Sequence, residues 1–157
     1  LLQKNIEIKV GGLMCNYVDQ QFHKIINKYH LSYLSDIYEL LDFAHCKLHY
    51  ADLDKDTGGC TVTNNRCHTI IVNKNWPVSY QRFVILHEFS HVKLHSGIST
   101  PFYKSLAMDS FVSKAEREAN QMALKLLLHI HSEDLQGMTK FQILNYLGLP
   151  SVLEKFL

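Results

Sequence analysis

Two histidines and a glutamate, His87, Glu88 and His91, form an H-E-x-x-H pattern inside the apolar run 83–94. On an α-helix, residues i and i+4 lie on one face about one turn apart, so both imidazoles can bind one metal ion. The intervening glutamate lies on a neighbouring flank, where it can accept a proton from an activated water. This chemistry is typical of zinc-dependent hydrolysis. A catalytic zinc site also needs a third protein ligand and an open position.

The third ligand is predicted on a later helix, over 112–131. Its apolar residues define one buried face: Ala119, Met122, Ala123, Leu126, Leu127 and Ile130. Glu116 falls about 50° from the centre of that face when residues advance 100° each, whereas Glu118 falls on the polar side. A carboxylate directed into a core is costly unless it is paired or binds a metal. Glu116 is therefore the predicted third ligand.

An alternative role for Glu116 stays open at this stage. Ser113 and Glu116 fit a capping box, in which Glu116 only closes the start of a helix. Asp109 or Ser110 could instead cap this helix one turn earlier, which leaves Glu116 available to the metal. Asn120, one turn after Glu116, is a candidate to hydrogen-bond the outer nitrogen of a ligand histidine.

His95 is a competing ligand, because it continues the i, i+4, i+8 series that His87 begins. On a straight helix, however, it lies about 12 Å from His87, too far for one ion. The longer metzincin pattern also fails, since Leu94 and Gly97 occupy the positions of its glycine and third histidine. We expect His95 to line the cleft or to lie near the negative end of the helix dipole. With Tyr103, it is a candidate for contacting the substrate or the oxyanion.

The elements that position these residues follow from the spacing of apolar side chains. Helices are predicted over 17–45, a small sheet over 46–73, the H-E-x-x-H helix over 77–96 and C-terminal helices over 139–157. Asn64 and Asn65 are typical of a tight hairpin turn, and Pro77 suits the first turn of a helix. The order predicts an α+β fold, with a small antiparallel β-sheet packed on a helical core in one domain over 1–157.

Composition excludes several other functions. The 157 residues are 46% hydrophobic and 20% charged, which is typical of a globular protein, and the net charge of +1 argues against nucleic-acid or membrane partners. No signal peptide or apolar run of membrane-spanning length is visible, and the four cysteines lack C-x-x-C spacing, so free thiols in a reducing compartment are expected. The triplet Asp52, Asp54 and Asp56 lacks the glycine and distal glutamate of a calcium loop and predicts a solvated turn.

Two segments together carry a family resemblance. The segment 87–95, HEFSHVKLH, and the segment 116–123, EREANQMA, are similar to the ImmA/IrrE metallopeptidases, which carry H-E-x-G-H-x-x-L-H and E-x-E-A-N-x-F-A in this order. Ser90 replaces the usual glycine and Met122 the usual phenylalanine. The resemblance implies a zincin-like, gluzincin-type fold with His87, His91 and Glu116 as zinc ligands and Glu88 as general base.

The same resemblance implies a Zn²⁺-dependent endopeptidase in the cytoplasm of a bacterial host, encoded by a phage or mobile element. Its partner would be a protein substrate, typically a helix-turn-helix repressor, and an exposed strand within 60–72 is expected to hold that substrate extended. The oligomeric state is not indicated. Two alternatives stay open: a zinc-binding regulatory or sensor domain without proteolysis, and a coincidental pair of buried histidines without metal. The intact Glu88 favours the enzyme, since a structural zinc site needs no base.

Overall fold

A computed structural model describes residues 16–95, the backbone of residues 102 and 103, and residues 113–157. In chain order the elements are α1 (Tyr17–Tyr29), α2 (Asp36–Phe43), β1 (Cys46–Ala51), β2 (Thr57–Asn64), β3 (Cys67–Asn73), α3 (Val78–Leu94), β4 (Phe102–Tyr103), α4 (Lys114–Ile130), α5 (Lys140–Tyr146) and a 3₁₀ helix (Ser151–Phe156). The predicted α+β class is confirmed. Ser96, Gly97 and Val112, at predicted helix ends, lie outside the described residues, and the single domain over 1–157 stays a prediction.

The sheet is mixed, which corrects the predicted antiparallel sheet. Its strand order is β1-β3-β2-β4. The strands β2 and β3 form an antiparallel hairpin around Asn65, which has a φ of 55°, whereas β1 pairs in parallel with β3. Turn-forming residues after β1 indicate that the chain reverses there, but not that β3 inserts between β1 and β2. Asn73 stabilises this arrangement, because its side-chain amide donates to the carbonyls of Asp54 and Thr57 at 2.9 and 2.8 Å.

The strand β2 approaches α3 closely at Gly59. A Cβ atom at this position would lie 2.7 Å from both the Ile71 carbonyl oxygen and Cγ1 of Val84. Only glycine therefore allows this separation of sheet and helix without a shift of one of them. Thr61 follows two residues later on the same face of β2 and is also buried, so its side chain points toward α3.

The helix α3 is buried on nearly all sides, as its apolar composition predicts. It packs between the sheet and α4. Gln81 fixes its start, because the side-chain amide donates to the carbonyls of Asn73 and Trp76 at 3.2 and 2.8 Å. These bonds tie the first turn of α3 to the end of β3, so the strand sets the position of the helix.

The remaining helices complete the core around α3 and α4. Buried side chains from α1, α2, α5 and the 3₁₀ helix join the same apolar cluster, which includes Val18, Leu40, Leu144 and Leu153. Cys46, Cys60 and Cys67 are free thiols, and Cys15 lies outside the described residues. None of the helices within 16–95 or 113–157 has the length and hydrophobicity to cross a membrane.

Candidate metal centre

The three predicted ligands come together between α3 and α4. Nε2 of His87 and Nε2 of His91 lie 3.1 Å apart. Oε2 of Glu116 is 3.1 Å from Nε2 of His87, and Oε1 of Glu116 is 3.1 Å from Nε2 of His91. All three residues are buried, and within the described residues they form the one group of three or more potential metal ligands that converges in this way.

These separations fit a zinc ion. Zinc binds histidine nitrogen and carboxylate oxygen at about 2.0–2.2 Å, so neighbouring donors of a tetrahedral site are roughly 3.3 Å apart. The observed 3.1 Å between donor atoms is close to that value. A site with three protein donors leaves one position for water or substrate, which is the arrangement of catalytic zinc sites.

Glu116 is held as a carboxylate at the start of α4. The Ser113 hydroxyl caps this helix by accepting from the Glu116 backbone N–H at 3.2 Å. The N-cap is therefore the one in the alternative interpretation, and Asp109 and Ser110 lie outside the described residues. The Glu116 side chain nevertheless reaches His87 and His91. Burial by itself raises the pKa of Glu116, but the hydrogen bonds from the two histidines outweigh it and hold that pKa well below its usual range.

The outer nitrogens of both histidines also contact protein atoms. Nδ1 of His87 lies 2.9 Å from Oδ1 of Asn120, where the predicted supporting role of Asn120 requires it. Nδ1 of His91 lies 3.2 Å from Nδ1 of His95. Nε2 of His95 in turn lies 2.8 Å from Oε2 of Glu118. The helical periodicity of α4 predicts Glu118 on the polar side of the helix, so the contact between Glu118 and His95 was not expected.

Glu88 lies on the sheet side of α3 and is 1% exposed. Its Oε2 accepts a hydrogen bond from the Thr61 hydroxyl at 2.7 Å, whereas its Oε1 makes no hydrogen bond to the described residues. Burial raises the pKa of the Glu88 carboxyl, although His87 and the Thr61 hydroxyl act in the opposite direction. The sequence pattern does not identify Thr61 as a site residue, and the one available signal is its place two residues after Gly59, on the same face of β2.

The remaining predicted residues are His95, Tyr103 and the aspartates of the 52–56 loop. Both ring nitrogens of His95 contact protein side chains. Tyr103 belongs to β4, where its backbone pairs with Thr57, but its side chain lies outside the described part of the chain. The triplet of Asp52, Asp54 and Asp56 does not form a metal-ligand group within the described residues.

Comparison with known proteins adds independent support. The family model of peptidase M78, described as the IrrE N-terminal-like domain, matches residues 43–146, well over half of the chain. A search of curated proteins gives no significant match. The matched range contains the histidines of α3, the carboxylates of α4 and Thr61, so it includes every residue of the site described above.

Proposed function

The chain belongs to the ImmA/IrrE metallopeptidase family, and on that premise we propose that it is a zinc-dependent endopeptidase that cleaves a helix-turn-helix repressor. One observation carries the enzymatic part of the proposal: the buried group of His87, His91 and Glu116 adjoins Glu88, which has one carboxylate oxygen without a hydrogen bond to the described residues. The resemblance of segments 87–95 and 116–123 supports the repressor as substrate and the bacterial cytoplasm as the place of action.

Zinc is the metal that this donor set favours. Two imidazoles and one carboxylate, on two helices, are a ligand combination of catalytic zinc sites. When bound, zinc supplies Lewis acidity, which lowers the pKa of a water molecule and polarises the peptide carbonyl. Glu116 is the one carboxylate of the three, and as an anionic ligand it would contribute a negative charge that favours binding of a cation.

Glu88 is the proposed general base. The Thr61 hydroxyl holds Oε2, which leaves Oε1 to accept a proton from the attacking water. Because burial raises the pKa of Glu88, the protonated carboxyl forms more readily than on an exposed glutamate. The same group can then deliver the proton to the leaving amine, so one side chain serves as base and as acid.

The sheet offers an edge for the substrate. The strand β3 lies between β1 and β2 and cannot accept another strand, so its part of the predicted range 60–72 is excluded. The strand β4 pairs with β2 at Thr57 and Gly59. Residues 60–64 have no strand partner on that side within the described residues, and we propose that the substrate adds there in extended form.

Tyr103 is the remaining candidate for stabilising the oxyanion. Its strand β4 lies beside β2, the strand that carries Thr61. His95 is a weaker candidate, because a contact with substrate would require it to give up His91 or Glu118. A Tyr103→Phe variant removes the phenolic donor alone, so a loss of kcat with unchanged KM would support this role.

The function is tested with the variant Glu88→Gln and a helix-turn-helix repressor encoded beside this protein. We expect the variant to bind zinc like the wild type and to leave the repressor uncleaved, because a neutral amide cannot accept the proton. Glu133→Gln makes the same change at an exposed residue and is expected to retain full cleavage. Equal cleavage by Glu88→Gln would contradict the proposal.

The regulatory alternative predicts a different result from the same experiment. Zinc-loaded wild type would then bind the repressor but leave it intact under all conditions tried. Metal analysis of the purified protein separates this outcome from a coincidental pair of histidines, since the latter predicts no bound zinc.

A further inference from the structure

The nitrogen of His91 that faces away from the candidate metal position lies against a second histidine. Its Nδ1 is 3.2 Å from Nδ1 of His95, and Nε2 of His95 is 2.8 Å from Oε2 of Glu118. The side chains of His91, His95 and Glu118 are only 2%, 9% and 17% exposed. We propose that Glu118 and His95 form a positioning pair, which holds His91 as a metal ligand through a carboxylate–histidine–histidine chain.

The positions of the protons along this chain follow from the requirement at the metal. An imidazole that binds a metal through Nε2 carries its proton on Nδ1. His91 must then donate from Nδ1 to Nδ1 of His95, which can accept only when the His95 proton is on Nε2. That proton points at the Glu118 carboxylate, which accepts it. A single tautomer of each histidine thus satisfies both contacts.

The opposite arrangement is unfavourable. A proton on Nδ1 of His95 would face the proton on Nδ1 of His91 across 3.2 Å, and Glu118 would meet a nitrogen without a proton in neutral His95. Because the three side chains are largely buried, water cannot readily replace the lost hydrogen bonds. With His95 neutral, the pair therefore selects the His91 tautomer that presents its Nε2 lone pair toward His87 and Glu116.

The two ligand histidines are supported by different chemistry. His87 donates to Asn120, a neutral amide, whereas His91 is linked through His95 to a charged carboxylate. A carboxylate behind a ligand histidine orients the ring and also raises the basicity of the imidazole. The Glu118–His95 pair is therefore expected to increase metal affinity, in addition to fixing the orientation of His91.

This proposal rests on the metal site proposed above, so its test measures metal binding rather than cleavage. We compare zinc dissociation constants of the full chain by competition with a chromogenic chelator. His95→Phe removes both nitrogens and is expected to weaken zinc binding about 10–100-fold. Glu118→Gln removes only the charge, and we expect a loss of about 3–10-fold.

A conservative variant separates positioning from packing. In His95→Asn, the amide oxygen can occupy the place of Nδ1 and still accept from His91, so we expect a loss below about 3-fold. In this background, Glu118→Gln is expected to have no further effect, because the chain is already interrupted. Co²⁺-loaded His95→Phe should also show an altered visible absorption spectrum, whereas the His95→Asn spectrum should match the wild type.

Lys114→Gln is the matched control, since Lys114 lies 3.6 Å from the other oxygen of Glu118 but is highly exposed. We expect its zinc affinity to equal that of the wild type. Wild-type affinity in His95→Phe would overturn the pair and leave the metal site intact, and an undiminished effect of Glu118→Gln in His95→Asn would also overturn it. Wild-type protein that binds no zinc would overturn the metal site and the pair together.

Discussion

The two sides of α3 contribute to the site in different ways. On the side of α4, one helix supplies the ligand Glu116 and the contacts of Asn120 and Glu118 with histidines. On the side of the sheet, Thr61 of β2 contacts the proposed base Glu88. Metal binding thus depends on packing between helices, whereas orientation of the base depends on packing between helix and sheet. The two functions have separate supports, and each can be damaged alone.

The largest effect is expected on the α4 side. Glu116→Gln removes the charged ligand, and we expect zinc affinity to fall by more than about 100-fold, beyond the 10–100-fold typical of residues behind the ligands. Cleavage should be lost with the metal. Chelator competition measures the affinity, with Glu133→Gln as the exposed control. A zinc affinity near that of the wild type would mean that Glu116 is not a ligand.

On the sheet side we expect a loss of rate without a loss of metal. Thr61→Val keeps the shape of the side chain but removes the donor to Glu88, and kcat should fall about 10–100-fold at unchanged zinc affinity. Thr69→Val makes the same change at a half-buried position of β3, outside the proposed substrate edge, and should be nearly neutral. A parallel fall in zinc affinity in Thr61→Val would contradict the separation of the two sides.

Removal of the metal should change the free energy of unfolding differently in variants on the two sides of α3. With free zinc at 100 times its dissociation constant, binding adds about 2.7 kcal/mol to the free energy of unfolding, which a chelator removes. We expect Thr61→Val to keep this difference between holo and apo protein and Glu116→Gln to lose most of it. Thermal unfolding with and without EDTA measures it. A full difference in Glu116→Gln would contradict the assignment of the ligand.

The smallest expected effect is at Gly59, where the sheet meets α3. The methyl group of Gly59→Ala would lie 2.7 Å from backbone and side-chain atoms, so we expect a loss of about 1–3 kcal/mol in unfolding free energy. Because the strain moves β2 away from α3, kcat should also fall while zinc affinity is retained. Urea denaturation measures the loss. An unchanged midpoint of urea denaturation would show that β2 can shift away from α3 without loss of stability.

The parts of the site that sequence could predict are those set by a single helix. The i, i+4 spacing brought His87 and His91 onto one face of α3, and the helical wheel directed Glu116 and Asn120 toward the core. These predictions need only the helical repeat. Burial of a costly carboxylate then gave the reason to suspect a metal.

The parts that sequence could not predict depend on how elements pack. The contact of Thr61 with Glu88 requires the separation of β2 and α3, and the contact of Glu118 with His95 requires the packing of α3 against α4. The parallel pairing of β1 with β3 is likewise non-local, because turn residues do not say which strand will become the neighbour. Helical periodicity contains none of this information.

The division of the ligands between α3 and α4 also has a consequence during protein synthesis. His91 emerges from the ribosome about 25 residues before Glu116, a delay of roughly 1–5 s at 5–20 residues per second. Until α4 has been made, the candidate metal centre has only two of its three ligands, His87 and His91. The three-ligand centre therefore cannot be complete before α4 is synthesised.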